Sequence, residues 1–172
     1  MFVALLLSSD SWKVCELGCG PGLPSLAAAS KGCPLVVATD VDKFALELVQ
    51  AASREQGFDK QLITDQLDLT QNPSHIINKF PWTQQIDLFV MADVFENSMV
   101  ARGAADLTIE ILNSSDSRVW VFAQSDRAQR ESYLEIIQKC FPNARWSKLE
   151  DNDPRTSKLL LIDLDETTVN YG

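Results

Sequence analysis

The chain is expected to fold as an α/β domain: a Rossmann-like, doubly wound, mostly parallel seven-stranded sheet with an antiparallel closing strand and helices on both faces. Three observations predict this. Apolar strand-like runs alternate with helical patterns along the whole chain, the arrangement that yields a parallel sheet with covering helices. Three glycines, Gly18, Gly20 and Gly22, lie between the first such run and an alanine-rich stretch. Polar residues then recur at the carboxyl end of each run: Gly18 after the first, Asp40 after the second, Asp68 after the third, Asp93 after the fourth, and Ser125 to Arg127 after the fifth. Open α/β sheets bind ligands beyond the carboxyl ends of their strands. The repeated placement therefore predicts a ligand site.

Val14 to Leu17 reads as a short buried strand leading into the glycines. Leu23 to Ser30 reads as a helix, with Pro24 in the first turn, where its missing N–H does no harm. "PLVVATD" is a second strand. Asp42 is placed as the N-cap of a helix whose apolar residues Ala45, Leu48, Val49 and Ala52 recur at helical spacing. "QLITDQLDL", less apolar, is a third strand nearer an edge, and Thr70 to Gln85 is a polar connection holding at most a short helix. Trp82, beside Pro81, is expected to cover a sheet edge. "IDLFVMAD" is continuously apolar and so central. A helix over about Met99 to Leu112 follows, then the strand "RVWVFAQ", then a helix with Tyr133, Ile136, Ile137 and Cys140 on one stripe. "FPNARWSKL" and "SKLLLIDL", split by the turn-rich "EDNDPRT", read as a closing antiparallel pair.

A chain of 172 residues suits one domain, here taken as residues 1–172. Its 45% hydrophobic and 23% charged content is ordinary for a soluble enzyme. A formal charge of −9 disfavours attraction to nucleic acid or to an anionic membrane. Cys15, Cys19, Cys33 and Cys140 form no C-x-x-C pair, and His75 is the single histidine, so no zinc site is expected. The cysteines read as reduced thiols of a cytoplasmic protein, expected to be a monomer. The opening "MFVALLL" lacks a basic flank and is too short for a membrane span; it reads as the last turns of an abbreviated helix.

The glycine stretch decides the ligand. A phosphate loop needs a lysine and a hydroxyl residue directly after its last glycine, but Leu23 and Pro24 follow Gly22. A dinucleotide fingerprint needs a glycine at position 23, where leucine stands. The pattern present is E-x-G-x-G-x-G, Glu16 through Gly22, with an acid at Asp40. It resembles the first two motifs of class I S-adenosylmethionine (SAM)-dependent methyltransferases. Leu67-Asp68 is similar to the third motif, and "DLFVMADVFEN" to the fourth motif of the protein-lysine methyltransferases of methyltransferase family sixteen, whose first motif continues G-L-P as Gly22-Leu23-Pro24 does. That group usually reads A-D-V-x-Y where this chain has Ala92-Asp93-Val94-Phe95-Glu96, and many members carry tryptophan at the position of Leu69.

The resemblance implies SAM as cofactor, S-adenosylhomocysteine as product, and methylation of a protein lysine. A small-molecule N- or O-methyltransferase or a non-catalytic SAM-binding module is the alternative. Glu16, Gly18, Gly20, Gly22, Asp40, Val41, Asp68, Leu69 and Ala92 are then the cofactor set: Asp40 for the ribose hydroxyls, Glu16 for the ammonium end directly or through water, and Asp68 for the adenine amino group. Asp93, Glu96 and Asn97 are the catalytic set, placed where the methyl group emerges. No metal is expected. The D-x-D-x-T of Asp163, Asp165 and Thr167 looks like a phosphatase nucleophile loop, but that family's remaining sheet has no counterpart after it, and it reads as a strand end with an acidic tail.

Overall fold

The structure, a computed structural model, describes residues 11–124, 127, 129–142, 146–148 and 159–164. The chain divides into two units, Met1–Asp68 with Gln85–Ala92 and Leu69–Gln84 with Asp93–Gly172. The expected N-terminal helix end, Ser125, the "EDNDPRT" turn, Asp165 and Thr167 lie outside the described residues.

In the first unit, β1 (Lys13–Leu17), β2 (Leu35–Asp40), β3 (Leu62–Gln66) and β4 (Leu88–Ala92) are all parallel, in the order β3-β2-β1-β4. Strands buried on both faces read as unbroken apolar runs, and Val36 to Ala38 and Leu88 to Met91 are buried accordingly. β3, less apolar, pairs with β2 alone in this unit and exposes Ile63, as its composition predicts. Leu17 stands opposite Thr39, so the chain leaving β1 runs past the end of β2. There the Cys19 N–H donates to the Thr39 carbonyl at 2.8 Å.

α1 (Leu23–Ser30) starts with proline in its first turn, as the sequence indicates. α2 (Lys43–Glu55) is capped by Asp42, whose carboxylate accepts the Phe44 N–H at 2.9 Å. Its buried face is Leu46, Val49 and Ser53, and Leu48 is exposed, one residue out of the expected phase. Val49 sets that phase: its methyl groups lie against Gly22, where a Cβ would come within 2.5 Å of one of them. The face that covers the glycine loop must include Val49, and Leu46 and Ser53 lie along that line at helical spacing.

In the second unit, α3 (Pro73–Lys79) occupies the polar connection, followed by a 3₁₀ turn over Pro81–Gln85. Trp82 is buried beside Phe80, ring centroids 5.3 Å apart. α4 (Ser98–Ser114) and α5 (Gln129–Cys140) pack together through Tyr133, which shares a 3.1 Å hydrogen bond with the Thr108 hydroxyl and meets the Phe95 ring at 4.9 Å. The α5 stripe differs from the expected one: Cys140 is exposed, and Leu134 and Phe141 take the inward positions beside Tyr133 and Ile137. β5 (Arg118–Gln124) pairs antiparallel with β7 (Leu159–Leu164), and β7 pairs antiparallel with β6 (Trp146–Lys148). Among the described residues no helix is long and apolar enough to cross a membrane.

Candidate active site

Of the cofactor set predicted from the sequence, Glu16, Gly18, Gly20, Gly22, Asp40 and Val41 lie at the carboxyl ends of β1 and β2. Gly18, Gly20 and Gly22 all have left-handed backbones, φ 71, 48 and 72. A side chain at Gly22 would strike Val49, so packing alone demands glycine there. At Gly20 a Cβ would meet nothing within 4 Å, so this part of the loop faces open space, as a cradle for an approaching ligand does. The turn is closed by the Gly22 N–H donating to the Cys19 carbonyl at 2.7 Å.

Asp40 ties the loop to β2. One carboxylate oxygen accepts the Gly20 N–H at 2.8 Å and the other the Asp42 N–H at 2.9 Å. Each oxygen keeps a second lone pair. A half-buried carboxylate beside open glycine backbone can thus accept from the two hydroxyls of a vicinal diol, and its acceptor set fits the ribose of SAM. Beyond the ligand role that the sequence assigns to Asp40, the same side chain also anchors the glycine loop.

Glu16 is placed differently from expectation. It is 1% exposed, and one oxygen accepts both the Ser25 N–H at 2.9 Å and the Ser25 hydroxyl at 2.5 Å. Gly22, at the N-cap, has no side chain to satisfy the first turn of α1, and Glu16 reaches across from β1 to do so. In this structure that oxygen serves as a structural cap of α1. Burial pushes its carboxyl up to about 7, with the Ser25 hydrogen bonds opposing and the Asp40 charge adding to the rise. A carboxyl whose folded value is raised stabilises the fold fully below its unfolded value, and that stabilisation is lost as pH rises through the folded one. The melting temperature of wild type relative to Glu16→Gln is therefore expected to fall between pH 4.5 and 8, as followed by circular dichroism. A constant difference across that range refutes the assignment.

Val41, next to Asp40, is exposed. Asp68 and Ala92 are half-buried at the ends of their strands. Leu69 is buried, its carbonyl lying against α4.

In the second unit, Asp93 has a left-handed backbone, φ 64, the one such non-glycine residue among those described. Its N–H donates to the Phe122 carbonyl at 2.8 Å, and its carboxylate is held by Arg127 through Nε at 2.8 Å and Nη2 at 2.6 Å. Glu96 is exposed. The Asn97 amide oxygen is committed to α4, accepting the Met99 and Val100 N–H groups at 3.0 Å each. That oxygen makes Asn97 the N-cap of α4, a role asparagine fills well. His75 is exposed, and no cluster of metal-ligating side chains exists among the described residues.

A parallel sheet whose first strand runs into a glycine loop, with a carboxylate at the end of the second, defines a Rossmann-like nucleoside-binding frame. The comparisons with known proteins narrow the class. A family model described as lysine methyltransferase matches residues 7–140, and the chain belongs to that family. Ribosomal protein L11 methyltransferase of Ectopseudomonas mendocina (strain ymp) is 34% identical over 70 residues, which make up 40% of this chain and 24% of that protein. The chain thus spans about a quarter of that relative's length. Among solved structures, the methyltransferase domain of bacterial CtHen1 superposes with a TM-score of 0.70 at 16% identity, covering 95% of each chain. An rRNA methylase from Streptococcus thermophilus superposes at 0.64 with 19% identity, covering 95% of this chain and 91% of that one. At these identities the two structures share the fold with this chain.

Proposed function

We propose that the chain methylates a lysine side chain of a protein. Bound SAM supplies an electrophilic methyl group on its sulfonium sulfur. Gly18 to Gly22 approach it with bare backbone, Asp40 and Val41 hold the ribose and its base, and Asp68 and Leu69 the adenine edge. Ala92 would be the residue toward the methyl group, and Asp93 and Glu96 those that serve the acceptor. A lysine reacts only as the neutral amine. Deprotonating it at pH 7 from its ordinary value near 10.4 costs about 4–5 kcal/mol. The chain's own work is accordingly to orient the amine and exclude water, the larger part of catalysis in a single in-line displacement.

The observation that carries the reading is Asp93: an acid held in a left-handed backbone immediately after the last residue of β4, within the segment matched by the lysine methyltransferase family. Backbones of this kind concentrate at functional sites.

Two measurements test it. SAM or S-adenosylhomocysteine at a hundredfold excess over its dissociation constant is expected to stabilise the fold by about 2.7 kcal/mol, while NAD produces no shift. Labelled SAM incubated with the protein and a cell lysate is expected to leave label on methyl-lysine after acid hydrolysis. Label found only on RNA or on small molecules refutes the lysine reading and leaves the methyltransferase standing.

A further inference from the structure

The left-handed backbone of Asp93 costs free energy, although aspartate tolerates it better than most residues. Two contacts hold it in place. The Asp93 N–H is tied to the Phe122 carbonyl of β5, and the carboxylate is gripped by the guanidinium of Arg127, which follows β5. Both arms of the fork are short, so the side chain has one direction available to it. Each carboxylate oxygen still has a lone pair beyond the one Arg127 uses.

A bare carboxylate beside an amine favours the ammonium ion, typically by 1–3 pH units. That is the wrong effect for a nucleophile. Pairing with the Arg127 guanidinium offsets that charge. We propose that Arg127 is a positioning residue for methyl transfer, aiming the Asp93 carboxylate and cancelling its charge so that it accepts a hydrogen bond from the acceptor nitrogen without holding it as an ammonium ion. The inference rests on the lysine reading above. Charged groups on the same loop and on the two helices of this unit that flank it are Glu96, exposed; Arg130, paired with Glu131 at the start of α5; and Arg102, paired with Asp106 on α4. The two internal pairs carry no net charge, and Arg127 is the cation in contact with Asp93.

The test compares wild type, Arg127→Gln and Arg127→Lys. Label transfer from saturating SAM to lysate lysines is measured from pH 6 to 10, and S-adenosylhomocysteine affinity by calorimetry. Arg127→Gln is expected to transfer at least tenfold more slowly at pH 7, with the rising limb of its pH profile displaced upward by about one unit or more. Cofactor affinity stays within threefold, which also shows that the variant is folded. Arg127→Lys restores part of the rate and part of the displacement, since it returns the charge without the fork. Independently of activity, the Arg127 Nε–H signal in nitrogen-15 NMR is expected to be protected from exchange in wild type and not in Asp93→Asn. An Arg127→Gln profile that superposes on wild type overturns the inference. Should that variant lose cofactor binding, Arg127→Lys decides: a reduced rate with its rising limb displaced upward, at intact cofactor affinity, supports it, and a rising limb that superposes on wild type overturns it. Wild type that binds S-adenosylhomocysteine but labels no lysine overturns the lysine reading and takes this inference with it.

Discussion

Gly103→Ala is expected to lower the melting temperature by about 6–12 °C, opposite in sign to the usual result of replacing glycine inside a helix. Alanine stabilises an exposed helix interior by about 1 kcal/mol over glycine. Gly103 is buried in α4, and a Cβ there would lie 2.0 Å from the Leu69 carbonyl oxygen, 2.8 Å from its carbon and 3.2 Å from the Thr70 Cα. All three neighbours are backbone, so no rotamer change relieves the clash. Overpacking of this kind costs 1–3 kcal/mol and more where backbone must shift. Here it outweighs the gain in helix propensity, leaving a net loss on the order of 3 kcal/mol. A circular-dichroism melt decides it, and a rise in melting temperature refutes the close approach. The same substitution displaces Leu69, the residue directly after Asp68, so adenosine affinity is expected to fall with stability.

Gly103 also marks a limit of what the sequence discloses. The helix around it follows from periodicity, which gives Met99 to Leu112 against the observed Ser98–Ser114. A glycine inside such a helix hints at close packing, but the partner, a loop more than thirty residues earlier, has no local signature. The parallel strands, the glycine loop, the Asp42 cap and the acids at strand ends were legible because each depends on residues adjacent in the chain. Leu48 and Cys140 were misplaced for the converse reason. Several phases of a short apolar repeat satisfy the helical period equally, and the contacts of Val49 with Gly22 and of Tyr133 with Thr108 and Phe95 select among them. Glu16 was recognisable as part of a motif but not as the cap of α1, because capping across from a strand requires knowing that β1 ends level with that helix. The grip of Arg127 on Asp93 is likewise a contact between residues 34 positions apart, and the left-handed backbone it accompanies leaves no trace in an aspartate codon by codon.

Asp40→Ala is expected to weaken S-adenosylhomocysteine binding by a hundredfold or more. Two charge-assisted hydrogen bonds to a ribose are worth about 1.5–3 kcal/mol each, and every 1.4 kcal/mol is tenfold in affinity. Alanine removes both, and it also strips the Gly20 and Asp42 N–H groups of their acceptor. The glycine loop then loses its tie to β2, so part of the affinity loss comes from a cradle that must be ordered on binding. A separate fall of a few degrees in the melting temperature without ligand is expected from that loss, at roughly 1 kcal/mol. Asp40→Asn separates the two roles. Its amide oxygen still accepts one backbone N–H, so stability recovers most of the way, while the missing charge and the donor now facing the diol keep affinity low. Calorimetry and melting curves on both variants are sufficient. If Asp40→Ala binds within threefold of wild type, the ribose acid lies elsewhere. Asp42 is then a poor substitute, since its carboxylate already caps α2 through the Phe44 N–H and its removal would unsettle the helix that packs on Gly22.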